Sequence, residues 1–473
     1  MKKTKIICTL GPATDNEDIL RDMILAGMNV ARLNFSHGSH AEHKRRADLI
    51  KKLRAELDVP VAIMIDTKGP DIRVGKIEGN FIELNTGDMF VLTGRECLGN
   101  RSRVSITYNE LHTKIEPGTV IMLDDGLISL EVERINGDDI ICLVKNGGIL
   151  ANNKSVNVPG VKLDIPYLRD KDVEDLHFAI DNDFDFIAAS FVRSAQDLLD
   201  IHRILEERNA KNILIISKIE NSEGIDNIDE ILELTDSIMI ARGDMGVELP
   251  FEQIPDIQKV LIKKAARRGR RSITATQMLE SMIKNVLPTR AEVSDVANAI
   301  YDGTSAIMLS GETAVGKYPV EAVRTMTKIA ETTEERIDYA KRLKTLDLGP
   351  ISGITDGISH ATANLAAALN ADAIITLTKS GGTAATVIRF RPTCPVLCFT
   401  PDKKVYYQLS LSWGCSPFIL EEQKSSDDLY ANSLKKAAES GLVKNGDTVV
   451  FTAGLPLGQT GCTNLLRVGV IGE

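Results

Sequence analysis

The sequence predicts an α/β protein: a (β/α)8 TIM barrel with an inserted β-barrel domain and a C-terminal α/β domain. Three observations lead there. Eight short runs rich in β-branched residues alternate with helix-patterned segments before residue 320. About a hundred residues of different texture separate the third run from the fourth, and the alternation restarts after about residue 340. Strands alternating with helices imply a parallel sheet buried on both faces, and eight such units close a barrel.

The runs are KIICTL (5–10), NVARLNF (29–35), VAIMID (61–66), FDFIAAS (184–190), NILIISKI (212–219), SIMIARG (237–243), SITAT (272–276) and SAIMLSG (305–311). Helix punctuation between them is independent support. Gly27 follows DILRDMILA as a helix-ending residue, and Thr289 with Glu292 forms a capping box just after Pro288. The gap contains short alternating stretches such as NFIEL and VIMLDDGLISLEVERI, bounded by Pro70 and Pro166, and reads as an all-β insert. Beyond 340 come a helix near 355–369, AIITLT, a helix from about Thr383, PVLCFT, SPFIL, a long amphipathic helix, DTVVFTA and LLRVGVIG. The expected units are therefore 1–69 with 167–340, then 70–166, then 341–473.

Composition narrows the function. The chain has 473 residues, enough for about three domains, with 43% hydrophobic and 26% charged residues. The balance of 56 basic and 66 acidic residues gives a net charge of −10, which argues against nucleic acid as a partner. No apolar window is long enough to span a membrane, and no signal-peptide pattern is seen, so a cytoplasmic protein is expected. The seven cysteines are scattered without CxxC pairs, against structural zinc or a disulfide framework.

Chemistry gathers at the ends of the runs, where a barrel carries its active site. In ARLNFSHG, Arg32, Asn34 and Ser36 share one strand face, a basic group with two oxygen ligands. The alternative is that the two polar residues simply cap the next helix. In IISKIEN, Lys218 and Glu220 share a face, and ARGDMG supplies Asp244 at the next run's end. Neighbouring strands lie about 4.8 Å apart, so the two carboxylates can share one Mg2+ with Lys218 beside it, or form a purely structural network. Asp66 and Thr67 of IDTKGPDIR, with Asn34 and Ser36, could surround a second, monovalent cation, and Thr276 of TATQ stands at another strand end. GETAVGKY nearly matches a phosphate-binding P-loop, but Tyr318 stands where the metal-holding hydroxyl is required. The basic run KKAARRGRR (263–271) reads as the solvated face and C-terminal end of a barrel helix.

With these clusters in order, the chain resembles the pyruvate kinase family over essentially its full length. The resemblance rests on TKIICTLGPAT, GMNVARLNFSHG, DTKGPDIR, LDDGLISLEV, VNVPG, DFIAASFVR, SKIEN, ARGDMGVE, TATQMLESM and PTRAEVSDVANAIYDGTSAIMLSGETAVGKYPVEAV. It implies phosphoryl transfer from phosphoenolpyruvate to ADP by a barrel with a lid-like insert and a regulatory C-terminal domain, assembled as a homotetramer. By resemblance, Arg32 and Lys218 contact the phosphoryl group, Glu220 and Asp244 bind Mg2+ or Mn2+, and the Gly243 backbone and Thr276 hydroxyl hold the substrate carboxylate. Thr276, acting through water, is a candidate final proton donor. Asn34, Ser36, Asp66 and Thr67 bind K+, while His37, Arg73 and Lys154 lie on the nucleotide side. Members that dispense with K+ carry Lys where this chain has Asp71, so K+ dependence is expected.

The sequence also departs from the family pattern. Residues 269–272 carry Arg and Ser where GKPV is usual, Ser305 replaces a usual Asp, and Asn153 and Ser155 flank Lys154 where Lys and Gly are common. None removes a proposed ligand. In the last domain TKSGGTA (378–384) is a hydroxyl-rich turn opening a helix, suited to a phosphate. The resemblance makes Thr378, Lys379, Ser380 and Thr383 the site of a phosphorylated activator: fructose 1,6-bisphosphate, AMP or ribose 5-phosphate. The chain ends at RVGVIGE, and the extra phosphotransfer-like domain of some bacterial members is expected to be absent. A metal-dependent aldolase would share the Glu and Asp but lack the insert and K+ cluster, and a non-catalytic sensor would not need the Lys218, Glu220, Asp244 set.

Overall fold

A computed structural model describes residues 2–457 and 461–473. In it, β1 (Lys5–Thr9), β2 (Val30–Asn34), β3 (Ala62–Asp66), β4 (Phe186–Ala189), β5 (Leu214–Ile219), β6 (Ser237–Ala241), β7 (Arg271–Ala275) and β8 (Ala306–Leu309) pair in parallel in that order. β8 returns to β1, with Lys5 opposite Ala306, so the barrel closes. The connecting helices form where the sequence places their caps. Helix Glu17–Ala26 starts on Asn16, whose side chain accepts from the Asp18 and Ile19 amides, and ends at Gly27 with φ 120°. Thr289 and Glu292 cap helix Arg290–Asp302 reciprocally.

Two of the eight runs carry candidate site residues beyond the end of their strands. SIMIARG leaves the sheet at Ala241, and Arg242–Glu248 forms a short helix, so Gly243 and Asp244 occupy its first turn and not a strand end. SITAT stops at Ala275, and Thr276 turns into the left-handed region at φ 69°. In both, a β-branched pattern overran the point where the chain turns over the barrel rim.

Strand alternation divides the barrel's residues between two cores. Outward-facing Ala31, Ile63, Ile187 and Ile215 pack under the helices. Inward-facing Val30, Met64, Ala188 and Ile216 fill the lumen. Each such fully buried Val, Ile or Met side chain contributes about 1.5–3 kcal/mol. Two residues further along, the inward direction presents Arg32, Asp66, Ser190 and Lys218 at the C-terminal mouth. The polar mouth is thus the continuation of the apolar lumen, and the lumen makes its floor rigid.

The insert leaves after β3 and returns before helix Asp170–Asp181. Six of its strands form a sheet in the order 156–157, 120–123, 128–136, 139–146, 89–93 and 103–105. The segment around Arg73 and Val74 bridges Ser155 on one side and Ile106 on the other, which closes that sheet into a small barrel. Its core, including Phe90, Ile121 and Leu130, is separate from the main one. The C-terminal domain is a five-stranded sheet in the order 415–419, 396–400, 373–377, 448–453 and 465–470, parallel except for the last strand. Its Leu411 packs into the N-terminal end of the lumen.

Candidate active site

Lys218 lies at the centre of the polar mouth. Its Nζ donates to Ser190 Oγ at 2.7 Å and lies 3.0 Å from both Asp66 Oδ1 and Glu220 Oε1. Asp66 presents its other oxygen to Arg32, whose Nε donates at 2.7 Å and whose Nη1 donates to Thr9 Oγ1 at 2.8 Å. One buried carboxylate therefore holds two cations. Burial alone would lower the Lys218 pKa, but Asp66 and Glu220 outweigh it and hold the ammonium above the ordinary lysine value. Burial would raise Asp66, but Arg32 and Lys218 hold it below the usual carboxylate range. Glu220 is pushed the other way, raised by burial and by Asp244 and Asp66, although Lys218 opposes the shift. A cation near Glu220 would relieve that strain.

A cavity of about 450 Å3 opens above this network, between barrel and insert. Its walls bring together Arg32, Asn34, Ser36, His37, Asp66, Arg73, Lys218, Glu220 and Asp244. Four other sequence-predicted residues are not on its walls. The Thr67 hydroxyl is turned to the Ala188 carbonyl at 3.4 Å and accepts from the Ser190 amide at 3.2 Å. The Gly243 amide donates to Thr276 Oγ1 at 2.8 Å, so these two groups are engaged with each other. Lys154 lies on the insert, its Nζ 2.8 Å from Asp124 Oδ1. Asn34 Oδ1 accepts from the Ser36 amide at 3.1 Å, a local turn contact, whereas the following helix is capped by Ser39 and by neither of these residues. Arg73 pairs with Asp71 and donates to the Asn153 carbonyl at 2.8 Å. Asp71 is also 3.4 Å from Lys68 and 3.5 Å from Arg169, so three cations surround one carboxylate at the root of the insert.

Two positioning residues escaped the sequence reading. Ser190 bridges Lys218 to the Asp66 and Thr67 segment, with its hydroxyl 2.6 Å from the Thr67 carbonyl. Phe191, held at φ 54°, aims its amide at Glu220 Oε2 at 2.6 Å. The signal for Ser190 was present, since it stands two residues beyond inward-facing Ala188 in DFIAAS. Ser190→Ala removes one buried hydrogen bond from the ammonium, a loss of about 1–3 kcal/mol where the partner stays unsatisfied. Steady-state kinetics should show kcat lowered about tenfold with KM little changed.

Comparison with known proteins agrees with this architecture. A family model described as "Pyruvate kinase, barrel domain" matches residues 1–323, and one described as "Pyruvate kinase, alpha/beta domain" matches 356–469. The chain belongs to the pyruvate kinase family. A pyruvate kinase of Clostridium acetobutylicum is 49% identical over 472 residues, covering 100% of both chains. One from Staphylococcus aureus is 48% identical over 479 residues, covering 100% of this chain and 81% of that longer protein. A crystal structure of a pyruvate kinase from Cryptosporidium parvum superposes with a TM-score of 0.94 at 38% identity, over 99% of this chain and 96% of that one. The chain is thus a phosphotransferase of this family.

Pyruvate kinases imply a divalent metal and K+. No group of three or more His, Cys, Asp and Glu suited to a metal occurs among the described residues. Glu220 and Asp244 are a two-carboxylate set, and that fits Mg2+, which is commonly held by one or two carboxylates with substrate phosphate and water completing the shell. Among the described residues no helix is long and apolar enough to cross a membrane.

Proposed function

We propose that the chain transfers the phosphoryl group of phosphoenolpyruvate to ADP, giving ATP and an enolate that is protonated to pyruvate. The observation that carries this reading is the continuation of the lumen register into Arg32, Asp66, Lys218 and Glu220 beneath one cavity. Phosphoryl transfer needs positioning and charge stabilisation more than covalent chemistry, and this constellation supplies both. Lys218 and Arg32 bind the phosphoryl oxygens, with Lys218 stabilising charge as the phosphoryl group leaves. Glu220 and Asp244 hold Mg2+ or Mn2+, which when bound neutralises charge on the transferring group. The substrate carboxylate takes the place of the Gly243–Thr276 hydrogen bond, accepting from the freed amide and hydroxyl. His37, Arg73 and Lys154 form the nucleotide side. Residues 70–166 act as a lid over the 1–69 and 167–340 barrel, excluding water from the phosphoryl group. The test is ATP formation from phosphoenolpyruvate and ADP with Mg2+ and K+. No ATP would reject the reading, and aldol cleavage instead would favour the lyase.

K+ is assigned to Asn34, Ser36, Asp66 and Thr67. Replacing K+ by Na+ should depress the rate, and Asp71→Lys, which puts an ammonium among Lys68, Arg73 and Arg169, should remove that dependence. Initial rates in the two salts check this, and equal wild-type rates would contradict it. In the domain spanning 341–473, Thr378, Lys379, Ser380 and Thr383 line a cavity of about 420 Å3. We assign it to a phosphorylated activator. Fructose 1,6-bisphosphate, AMP and ribose 5-phosphate are the ones to screen, and activation by one of them should weaken severalfold in Thr378→Ala. Assembly as a cytoplasmic homotetramer belongs to the same reading, and light scattering tests the oligomer.

A further inference from the structure

His37 lines the cavity, and the groups that fix its backbone come from the helix that follows it. The chain leaves β2 at Asn34, turns through residues 35–39 and enters helix His40–Glu56. Within the turn the His37 amide donates to the Asn34 carbonyl at 3.2 Å. The His37 carbonyl is taken by His43, one turn into the helix, whose Nε2 lies 2.8 Å away.

His43 is placed to make that one bond. It is 2% exposed, and its ring stacks on Phe35 with centroids 4.1 Å apart and an interplanar angle of 12°. Its Nδ1 is buried and has no hydrogen-bond partner among the described residues. Burial lowers the His43 pKa, with the His37 carbonyl opposing the shift and Arg46 adding to it, so the ring is neutral at pH 7. A neutral imidazole carries one N–H, and a carbonyl oxygen only accepts, so the proton is on Nε2. Gly38 admits the ring: at φ 79° it has no side chain, and a Cβ there would lie 3.3 Å from His43 Nε2.

The start of the helix is held as well. His40 Nε2 lies 2.5 Å from Oδ1 of the fully buried Asp175 on helix Asp170–Asp181, and the His40 ring stacks on Phe178 at 4.5 Å. Phe35, His40, His43 and Phe178 thus form one aromatic cluster that ties the 35–39 turn to two barrel helices.

We propose that His43 is a positioning residue for the nucleotide, holding the turn by its bond to the His37 carbonyl so that His37 meets ADP already in place. The proposal rests on the reading of His37 as a nucleotide contact. A contact fixed in advance saves ordering cost when the ligand binds, so its loss falls on ADP affinity and leaves the transfer step alone.

Steady-state kinetics of the full-length protein at saturating Mg2+ and K+, with ADP and phosphoenolpyruvate varied separately, tests this on two amide variants. His43→Gln can bring an N–H to the former Nε2 position, whereas His43→Asn is too short. We expect His43→Asn to raise KM for ADP about tenfold, the scale of one lost buried hydrogen bond, with kcat and KM for phosphoenolpyruvate within about twofold of wild type. His43→Gln should bring KM for ADP back to within about threefold of wild type. His37→Ala should itself raise KM for ADP about tenfold, and His43→Asn added to it should raise the value less than about twofold further, because there is then no side chain to position. Equal KM for ADP in the two amide variants, an equal rise in both KM values, or full additivity with His37→Ala would overturn the positioning role. If His43→Asn does not fold, His40→Ala at the half-buried start of the helix replaces it, with an expected rise of about threefold confined to KM for ADP; no rise would overturn the role. A wild-type KM for ADP in His37→Ala would instead overturn the reading of His37 beneath it.

Discussion

Lys218→Met is expected to lower kcat at least about a hundredfold, the scale for losing one preorganised charged group aimed at developing charge. Folding should survive, because Asp66 keeps its 2.7 Å contact with Arg32 and the methionine fills the space of the lysine stem. Glu220 is the side chain that changes most. It loses the ammonium 3.0 Å away that opposes its upward shift, so its carboxyl is held still higher and binds a divalent ion only at higher pH. The variant should therefore show both a low kcat and a metal requirement that rises as pH falls. Near-wild-type turnover would remove Lys218 from the chemistry.

Asp66→Asn should have the largest effect on stability. The wild-type carboxylate is almost fully buried and neutralises Arg32 and Lys218 together. Without it two buried cations face each other with only Glu220 near, and breaking such a network costs about 3–5 kcal/mol. The pH dependence has a defined sign. Asp66 is depressed in the folded state, so its contribution is complete above the unfolded carboxylate value and is lost as pH falls through the lower folded value. The gap between wild type and variant in urea midpoint should be widest at neutral pH and should narrow in the acid range. A constant gap would mean that the destabilisation is not electrostatic.

The barrel was legible because its strands are buried on both faces and read as β-rich runs, several of them continuing into a polar residue of inward parity. That parity placed Arg32, Asn34, Lys218 and Glu220 without any coordinates. It failed where regular structure failed. Gly243 and Asp244 were read as strand-end residues because SIMIARG keeps its pattern past Ala241, and only the turn into helix Arg242–Glu248 redirects them. Phe191 was invisible because its role is carried by a backbone amide at φ 54°, which no side-chain pattern encodes. The double duty of Asp66 was equally hidden, since Arg32 and Lys218 are 186 residues apart in sequence and meet only through barrel closure. The departures at 269–272 and 305 were visible, but their convergence with Arg389 and Arg391 needed the fold.

The most direct measurement is the location of Mn2+ in crystals grown with phosphoenolpyruvate, read from anomalous scattering. The account predicts a peak bound by Glu220 and Asp244, with the phosphoryl oxygens facing Lys218 and Arg32. A Mn2+ ion held elsewhere, or a phosphoryl group turned away from Lys218, would contradict it.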